Sequence, residues 1–225
     1  MRDARAFVWL GGGVFVASLA YCAWWYLFAA GVDRPFAGAA PIAWNAALLA
    51  LFAVHHSLLA RDAIKRRLAP VFGDHLRSVY VWTASLLLVA VCGLWRPVGG
   101  TLHDHHGLLA GVDILIQLLG VRLIARSVST IDPLALAGIR QPPPDDTLQV
   151  TGPYRFVRHP LYLGWMVAVF GSPHMTGDRL VFAVLTSLYL VIAIPWEERS
   201  MRTAFGDEYA HYAAEVRWRV IPFIY

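Results

Sequence analysis

Four long apolar runs, at 7–31, 41–60, 78–95 and 107–126, constrain the fold of this chain more than any other feature. A helix needs about 20 residues to cross the hydrocarbon core of a bilayer, and these runs have lengths in that range. Only 15% of the 225 residues are charged, whereas an ordinary soluble domain carries about 25%. The runs therefore predict that lipid, rather than water, surrounds most of the chain.

A fifth apolar region, 160–196, is interrupted by the turn-forming residues 171–178 and predicts two shorter helices folded as a hairpin. Backbone polar groups in lipid must be satisfied internally, and the runs lack the alternation of barrel strands. The expected fold class is an all-α, polytopic membrane bundle with a C-terminal helical hairpin. It has six transmembrane helices if the hairpin spans the bilayer and five if the hairpin is re-entrant.

The basic residues predict the orientation of the bundle. They cluster at the ends of the apolar runs, which is typical of topology signals and not of a nucleic-acid surface, so we expect no nucleic-acid partner. With the N-terminus inside, 16 of the 19 lie on the inner side and three, Arg34, Arg96 and Arg179, on the outer side. The positive-inside rule then places both termini in the cytoplasm.

A polar linker at 130–150, which carries the sequence Gln-Pro-Pro-Pro-Asp-Asp at 141–146, divides the chain. We expect N-terminal transmembrane helices over 1–129 and a separate module over 130–225. The tail, 197–225, mixes polar and aromatic residues and predicts an amphipathic helix at the cytoplasmic face.

The densest unusual segment is 151–165. Gly152-Pro153 predicts a turn, and Pro160 suits the first turn of a helix. Free amides at the start of that helix could hold a carboxylate at the cytoplasmic interface. Tyr154 and Tyr162 could stack on an aromatic ring or face a cation. The alternative is an interfacial anchor, since aromatic and basic residues gather at membrane boundaries in any case.

Adjacent carboxylates, Glu197 and Glu198, follow the last apolar run. One of them could bind ribose hydroxyls or face a sulfonium or ammonium charge. The alternative is a solvated helix start, because acids favour a first helical turn and Pro195 comes just before them.

Other polar residues carry weaker signals. Asp113 and Gln117 are four residues apart and could pair with each other, with Arg122 or with a histidine. The run 103–106, His-Asp-His-His, could suggest a metal or haem. Since consecutive residues on regular structure cannot all turn to one ion, we interpret it as a solvated loop. Cys22 and Cys92 lack zinc-site spacing, so no metal site is expected.

The chain resembles the superfamily of isoprenylcysteine carboxyl methyltransferases and phospholipid methyltransferases. The resemblance lies in the motif Gly152-Pro153-Tyr154-Arg155-x-Val157-Arg158-His159-Pro160-x-Tyr162-x-Gly164, in Glu197-Glu198, in Phe205-Gly206-x-Glu208-Tyr209-x-x-Tyr212, and in Val216 and Ile221-Pro222. It implies a membrane enzyme that transfers a methyl group from S-adenosylmethionine, bound in a pocket at the cytoplasmic face. The cofactor contacts that it implies are Gln141, Thr147, Leu148, Tyr154, His159, Pro160, Leu161, Tyr162 and Glu197.

The N-terminal half resembles a narrower branch, the bacterial methanethiol S-methyltransferases. Its matching pieces are His55-His56-Ser57 with Ala60-Arg61, Arg77-Ser78-x-Tyr80-Val81, Trp95-Arg96-Pro97, 138–141 and 172–176. This resemblance implies a small thiol acceptor, with dimethyl sulfide as product, and a bacterial inner membrane. Ala193 occupies the place where prenylcysteine enzymes carry a substrate-binding Arg, which argues against a carboxylate acceptor.

A thiol attacks as thiolate and needs a proton acceptor. His55, His56 and His159 are the candidates, because neutral imidazole can take that proton. Each could instead be a hydrogen-bonded packing residue. Three other functions stay open: methylation of a prenylcysteine or lipid acceptor, haem-based electron transfer with His55 or His56 as an axial ligand, and a non-catalytic assembly role.

Overall fold

The computed structural model describes residues 2–59, 61–129, 133–140 and 147–225. Helix α1, Arg2–Trp24, runs into a π-helical turn, Trp25–Ala29. It is followed by α2 (Ala39–Leu59), α3 (Asp62–Phe72), α4 (Leu76–Gly93), strand β1 (Thr101–Asp104), α5 (Gly107–Val128) and the short α6 (Pro133–Leu136). The chain ends with α7 (Pro160–Phe170), strand β2 (His174–Thr176), which pairs with β1, and α8 (Gly177–Glu215).

Within the described residues, five helical segments are long and apolar enough to cross a membrane: Arg5–Ala29, Ala39–Leu59, Ile64–Gly93, Gly107–Val128 and Gly177–Glu215. The predicted helical membrane bundle is therefore confirmed, and each of the four long apolar runs forms a helix. Helix α7 has 11 residues, which gives about 16 Å of helix. That is roughly half of the hydrocarbon thickness, so α7 is too short to span it alone.

The C-terminal hairpin is present, but its two helices are unequal. Helix α7 ends at Phe170, close to the predicted break, and α8 begins at Gly177. Helix α8 then continues for 39 residues, through Pro195 and past a kink at Gly206, where φ is 51°. The predicted amphipathic tail helix is thus the second half of α8. Good helix formers follow Pro195 directly, which favours continuation of the helix.

The described residues form two compact units, each taken from several stretches of chain. One comprises 1–100, 132–142 and 176–181, and the other comprises 101–131, 143–175 and 182–225. In the first unit α1 and α2 both pack on α4. Its loop near residue 98 is held by buried Asp178, whose carboxylate accepts hydrogen bonds from Trp95 Nε1 (2.7 Å) and the Val98 amide (2.9 Å). The functional division near residue 130 stays a prediction.

The second unit is built on the packing of α5 against α7. Glycines allow the two helices to approach closely: a Cβ added to Gly120 would lie 2.4 Å from the backbone nitrogen of Ala168. Gln117 Nε2 donates to the carbonyl of Ala168 at 3.0 Å, and Asp113 pairs with His105. Of the partners expected for Asp113, the histidine is therefore the one found. This packing fixes α7 and the motif at its N-terminal end.

Candidate functional site

The segment that begins at Gly152 folds as the sequence predicts. Gly152 adopts a φ of 60° and opens a 3-10 turn over Gly152–Arg155. Helix α7 starts at Pro160, with His159 as its N-cap. The His159 carbonyl accepts the amides of Tyr162 (3.1 Å) and Leu163 (3.2 Å). The expected row of free amides is therefore reduced, because Pro160 has no N–H and two of the next three are engaged.

A short backbone pairing holds this motif against the chain that follows α8. The Arg158 amide donates to the carbonyl of Trp218 at 2.9 Å, and the His159 amide donates to that of Arg219 at 2.7 Å. Two residues from a distant part of the sequence thereby fix the backbone just before α7. The side chains of Arg158 and His159 are oriented from there.

Arg158 forms a buried ion pair with Glu198, whose side chains are 7% and 4% exposed. Its Nε lies 2.7 Å from Glu198 Oε1, and its Nη1 donates to the carbonyl of Val216 at 2.7 Å. Arg219 Nε lies 3.3 Å from the other carboxylate oxygen. Burial disfavours the charge on Arg219, but the Glu198 carboxylate and Tyr225 together outweigh it and raise the pKa of Arg219 above its ordinary value. Glu198 is thus fully engaged in holding the fold.

Glu197, by contrast, is 43% exposed. One of its oxygens accepts the hydroxyl of Tyr162, and the other lies 3.6 Å from His159 Nδ1. Both glutamates lie well inside α8, so the alternative of a solvated helix start is wrong. The exposed carboxylate of Glu197 has lone pairs available for a ligand, which Glu198 does not.

His159 lies between the two carboxylates. Its ring stacks on Tyr162 with centroids 5.3 Å apart and an angle of 14° between planes. Nε2 lies 3.6 Å from Glu198 Oε1, which is beyond hydrogen-bonding distance. Among the described residues, this buried nitrogen has no hydrogen-bond partner. A buried polar atom without a partner is costly, and such atoms often mark a place where a ligand or water binds.

The remaining expected contacts are spread around this cluster. Tyr154 is half-buried, and its carbonyl accepts the Tyr212 hydroxyl at 2.8 Å. Leu148 is a core residue that packs with Tyr209, Tyr212 and Val216, whereas Thr147 is exposed. Pro160 is buried, Leu161 is half-buried, and Gln141 lies outside the described residues.

His55 and His56 lie on α2, in the first unit. His56 Nδ1 is 2.8 Å from the hydroxyl of Tyr80. The His55 ring is parallel to that of Tyr80, with centroids 6.1 Å apart. Both ring nitrogens of His55 are buried, and neither has a hydrogen-bond partner within the described ranges. His56 therefore fits the hydrogen-bonded packing alternative better than His55 does.

Three side chains that contact candidate site residues have no role in the sequence-based prediction: Arg158, Arg219 and Tyr80. Arg158 stands in the motif at 152–164, but its partner Glu198 is 40 residues away. Nothing local in the sequence gives such a pairing. The signal that was available is the charge itself, because an arginine between Val157 and a helix start in an apolar region needs an anion.

Comparison with known proteins places this geometry in a family. The family model described as phospholipid methyltransferase matches residues 114–208, which include α7, the ion pair and Glu197. Methanethiol S-methyltransferase 1 of Bradyrhizobium diazoefficiens is 35% identical over 185 residues, which are 76% of this chain and 64% of that protein. The chain therefore spans a little under two thirds of that relative.

This chain covers a larger share of other relatives. Methanethiol S-methyltransferase of Crocosphaera subtropica is 35% identical over 190 residues, which are 79% of this chain and 73% of that protein. Nurim of Xenopus laevis is 27% identical over 216 residues, which are 80% of this chain and 73% of that protein. No solved structure matches the chain. With these relatives and the motif cluster around His159, the chain belongs to the phospholipid and isoprenylcysteine methyltransferase superfamily, in which its relatives include methanethiol S-methyltransferases.

Proposed function

We propose that this membrane protein is an S-adenosylmethionine-dependent methyltransferase whose acceptor is a small thiol such as methanethiol, which it converts to a thioether. The observation that carries the proposal is the contrast between the two glutamates beside His159. Glu198 is locked in a buried ion pair, while Glu197 keeps an exposed carboxylate next to an unsatisfied buried imidazole nitrogen. The family and the names of its relatives support the same function.

The residues present fit the cofactor. S-adenosylmethionine combines a cationic ammonium group, ribose hydroxyls, an adenine ring and a carboxylate with the methyl-bearing sulfonium, which supplies the activated methyl group. Glu197 would accept the hydroxyls or face a cation, and His159 Nε2 offers a further polar contact. Tyr154 and Tyr162 provide aromatic faces for the adenine ring or a cation. Thr147, Leu161 and Pro160 would complete the wall.

The ion pairs of Arg158 and Arg219 with Glu198 would contribute indirectly, by positioning the residues that contact the ligand. These ion pairs fix the backbone on both sides of His159, so that Glu197 and Tyr162 are held in place before a ligand arrives. In-line methyl transfer depends on such alignment, because a small misplacement of reacting atoms lowers the rate steeply.

The choice of a small thiol rests on Ala193. It lies four residues before Glu197 and so on the same face of α8, where it is 9% exposed beside fully buried Ile194. This face has an apolar side chain where a carboxylate acceptor would need a cation. His55, His56 and His159 stay candidates for the base that deprotonates the thiol. We also propose that the protein lies in a bacterial inner membrane with both termini inside.

The direct test uses membranes from cells that express the full chain. They are incubated with methyl-labelled S-adenosylmethionine and one of three acceptors: methanethiol, a prenylcysteine or a phospholipid amine. We expect labelled dimethyl sulfide in the head space with methanethiol and no labelled product with the other two. Membranes carrying Glu197→Gln should make at least tenfold less.

Two outcomes would count against the proposal in different ways. Labelled prenylcysteine or lipid, without dimethyl sulfide, would remove the thiol and keep the methyltransferase. No transfer to any acceptor, together with no saturable binding of S-adenosylhomocysteine by folded protein, would remove the methyltransferase itself.

A further inference from the structure

The chain between β1 and α5 brings two histidines and an aspartate together in the second unit. His103 is on β1, His105 follows it, and Asp113 lies in the second turn of α5. One possible ligand atom from each residue lies within 4.8 Å of the others. Consecutive side chains on regular structure cannot all turn to one ion. These three are not consecutive. One residue separates the two histidines on an extended segment, so both of their side chains point to the same side.

Each of the three side chains is held in place by a hydrogen bond, and the two histidines also by stacking of their rings. His103 Nε2 lies 3.0 Å from the carbonyl oxygen of Ser172, and the two histidine rings stack with centroids 4.3 Å apart. His105 is fixed twice, by its amide to the Pro173 carbonyl at 2.9 Å and by Nδ1 to Asp113 Oδ2 at 2.6 Å. A site whose ligands are already oriented loses little entropy when it binds an ion.

These contacts also determine where lone pairs are available. A carbonyl oxygen only accepts, so His103 Nε2 carries the proton and its Nδ1 is left with a lone pair. The hydrogen bond to Asp113 engages His105 Nδ1; in the other tautomer of the neutral ring the proton is on Nε2, and Nδ1 then presents a lone pair on the side of the Asp113 carboxylate. The histidines are half-buried, and the side chain of Asp113 is 21% exposed. The cluster is thus open to solvent at one side and can be reached by an ion.

We propose that His103, His105 and Asp113 form a binding site for a divalent transition-metal ion, with Zn²⁺ the best fit. Two imidazoles and one carboxylate, with water in a fourth position, make up a ligand set that Zn²⁺ commonly takes. Zn²⁺ lies about 2.0–2.2 Å from nitrogen and oxygen ligands, so the three atoms must close to about 3.4 Å from one another. Since the ligand atoms now lie within 4.8 Å of one another, each must move by about 1 Å. Binding through Nδ1 of His105 moves the ring proton to Nε2, so the neutral imidazole keeps one proton and none is released.

An ion here would clip the β1 segment to α5. The present link between them includes the His105–Asp113 hydrogen bond, which a metal would replace with coordinate bonds. The inference is independent of the proposed methyl transfer, because none of its three residues takes part in that proposal.

The test uses the full chain, purified in detergent with an affinity tag that contains no histidine and stripped with a chelator. Isothermal titration with Zn²⁺ should show one saturable site per chain. His103→Ala and Asp113→Asn should each weaken the affinity at least tenfold, since even the loss of a residue that only orients a ligand costs about 10–100-fold. Co²⁺ in place of Zn²⁺ should give the visible absorption bands of a four-coordinate ion, and both variants should lose them.

His106→Ala is the matched control. His106 is next to His105, its side chain is 83% exposed, and it pairs with Asp104 rather than with the three ligands. Its affinity for Zn²⁺ should equal that of the unchanged protein. Circular dichroism and melting curves without metal verify folding; if His103→Ala fails to fold, His105→Gln takes its place. Absence of saturable binding, or equal affinity in every variant, would overturn the proposal.

Discussion

Glu197 and Glu198 are neighbours in the sequence, yet their carboxylates have opposite surroundings. Successive residues on a helix point about 100° apart, so one faces the backbone that precedes α7 while the other stays near solvent. Glu198 meets two arginines, Arg158 and Arg219. Glu197 meets only the Tyr162 hydroxyl at hydrogen-bonding distance among the described contacts. Substitutions of the two residues should therefore separate stability from binding.

Glu198→Gln should destabilise the fold, and Glu197→Gln should weaken cofactor binding. Removing the Glu198 charge leaves buried Arg158 without a counter-ion, which costs about 3–5 kcal/mol. Glu197→Gln removes a charge that is half-exposed, so the melting temperature without ligand should stay within a degree or two. Its melting temperature should rise much less than that of the unchanged protein when S-adenosylhomocysteine is added, since ligand stabilisation follows affinity. A normal response in Glu197→Gln, with a lost response in stably folded Glu198→Gln, would reverse the two roles.

The residues of this cluster show how far the sequence reaches. The spacing of the motif at 152–164 and the acids at 197–198 identify the segments, the turn at Gly152 and the start of α7. The sequence does not show which glutamate is buried, because that depends on the phase of α8 relative to Arg158, 40 residues earlier. Nor does it show that His159 has an unsatisfied nitrogen. Both follow from packing between segments that are far apart in the chain.

Among the helices, the pairing of α5 with α7 has the strictest steric requirement. A Cβ on Gly120 would lie 2.4 Å from Ala168 N and 2.7 Å from the Gly164 carbonyl oxygen, and backbone atoms cannot move aside as side chains can. At Gly111, on the same helix, an added Cβ would meet nothing within 4 Å.

Gly120→Ala should therefore destabilise the protein, and Gly111→Ala should not. Forcing a methyl group into a packed contact costs about 1–3 kcal/mol. In an open position, alanine is favoured over glycine in a helix by about 1 kcal/mol. Melting curves of both variants in the same detergent provide the measurement. If Gly120→Ala melts at the same temperature as Gly111→Ala, the two helices pack less closely than the structure indicates.

Length and apolar content were enough to predict the spanning helices, since burial in lipid needs no specific partner. They were not enough for the last helix. The end of the apolar stretch near Trp196 suggested a boundary, but α8 continues to Glu215. What sustains it is an apolar cluster in which Leu148, Tyr209 and Tyr212 bury their side chains together. Such packing stabilises a helix beyond what local propensity alone provides.

For the whole molecule, the proposed orientation rests on the distribution of the basic residues. Two of the three arginines expected outside are engaged within the first unit. Arg179 is buried and donates to the carbonyl of Tyr26 at 3.1 Å, and the Arg96 guanidinium lies 4.1 Å from the centre of the Trp44 ring. On the expected inner side, Arg158 and Arg219 are engaged in a similar way with Glu198, so the orientation is still proposed from the sequence count of 16 against three.

The proposed orientation, with both termini inside, predicts which positions an impermeant thiol reagent can reach. Cys22 and Cys92 are buried and can be replaced by alanine to give a cysteine-free background. His106→Cys, at a side chain that is 83% exposed, should then react in intact cells. Ser200→Cys, at an exposed position on α8 three residues after Glu197, should react only after the membrane is permeabilised. Denatured samples of both variants confirm that each thiol is present and reactive.

If Ser200→Cys reacts in intact cells and His106→Cys does not, the orientation is inverted. The surface beside Glu197 would then face outward, and a site there could not use a methyl donor supplied from the cytoplasm.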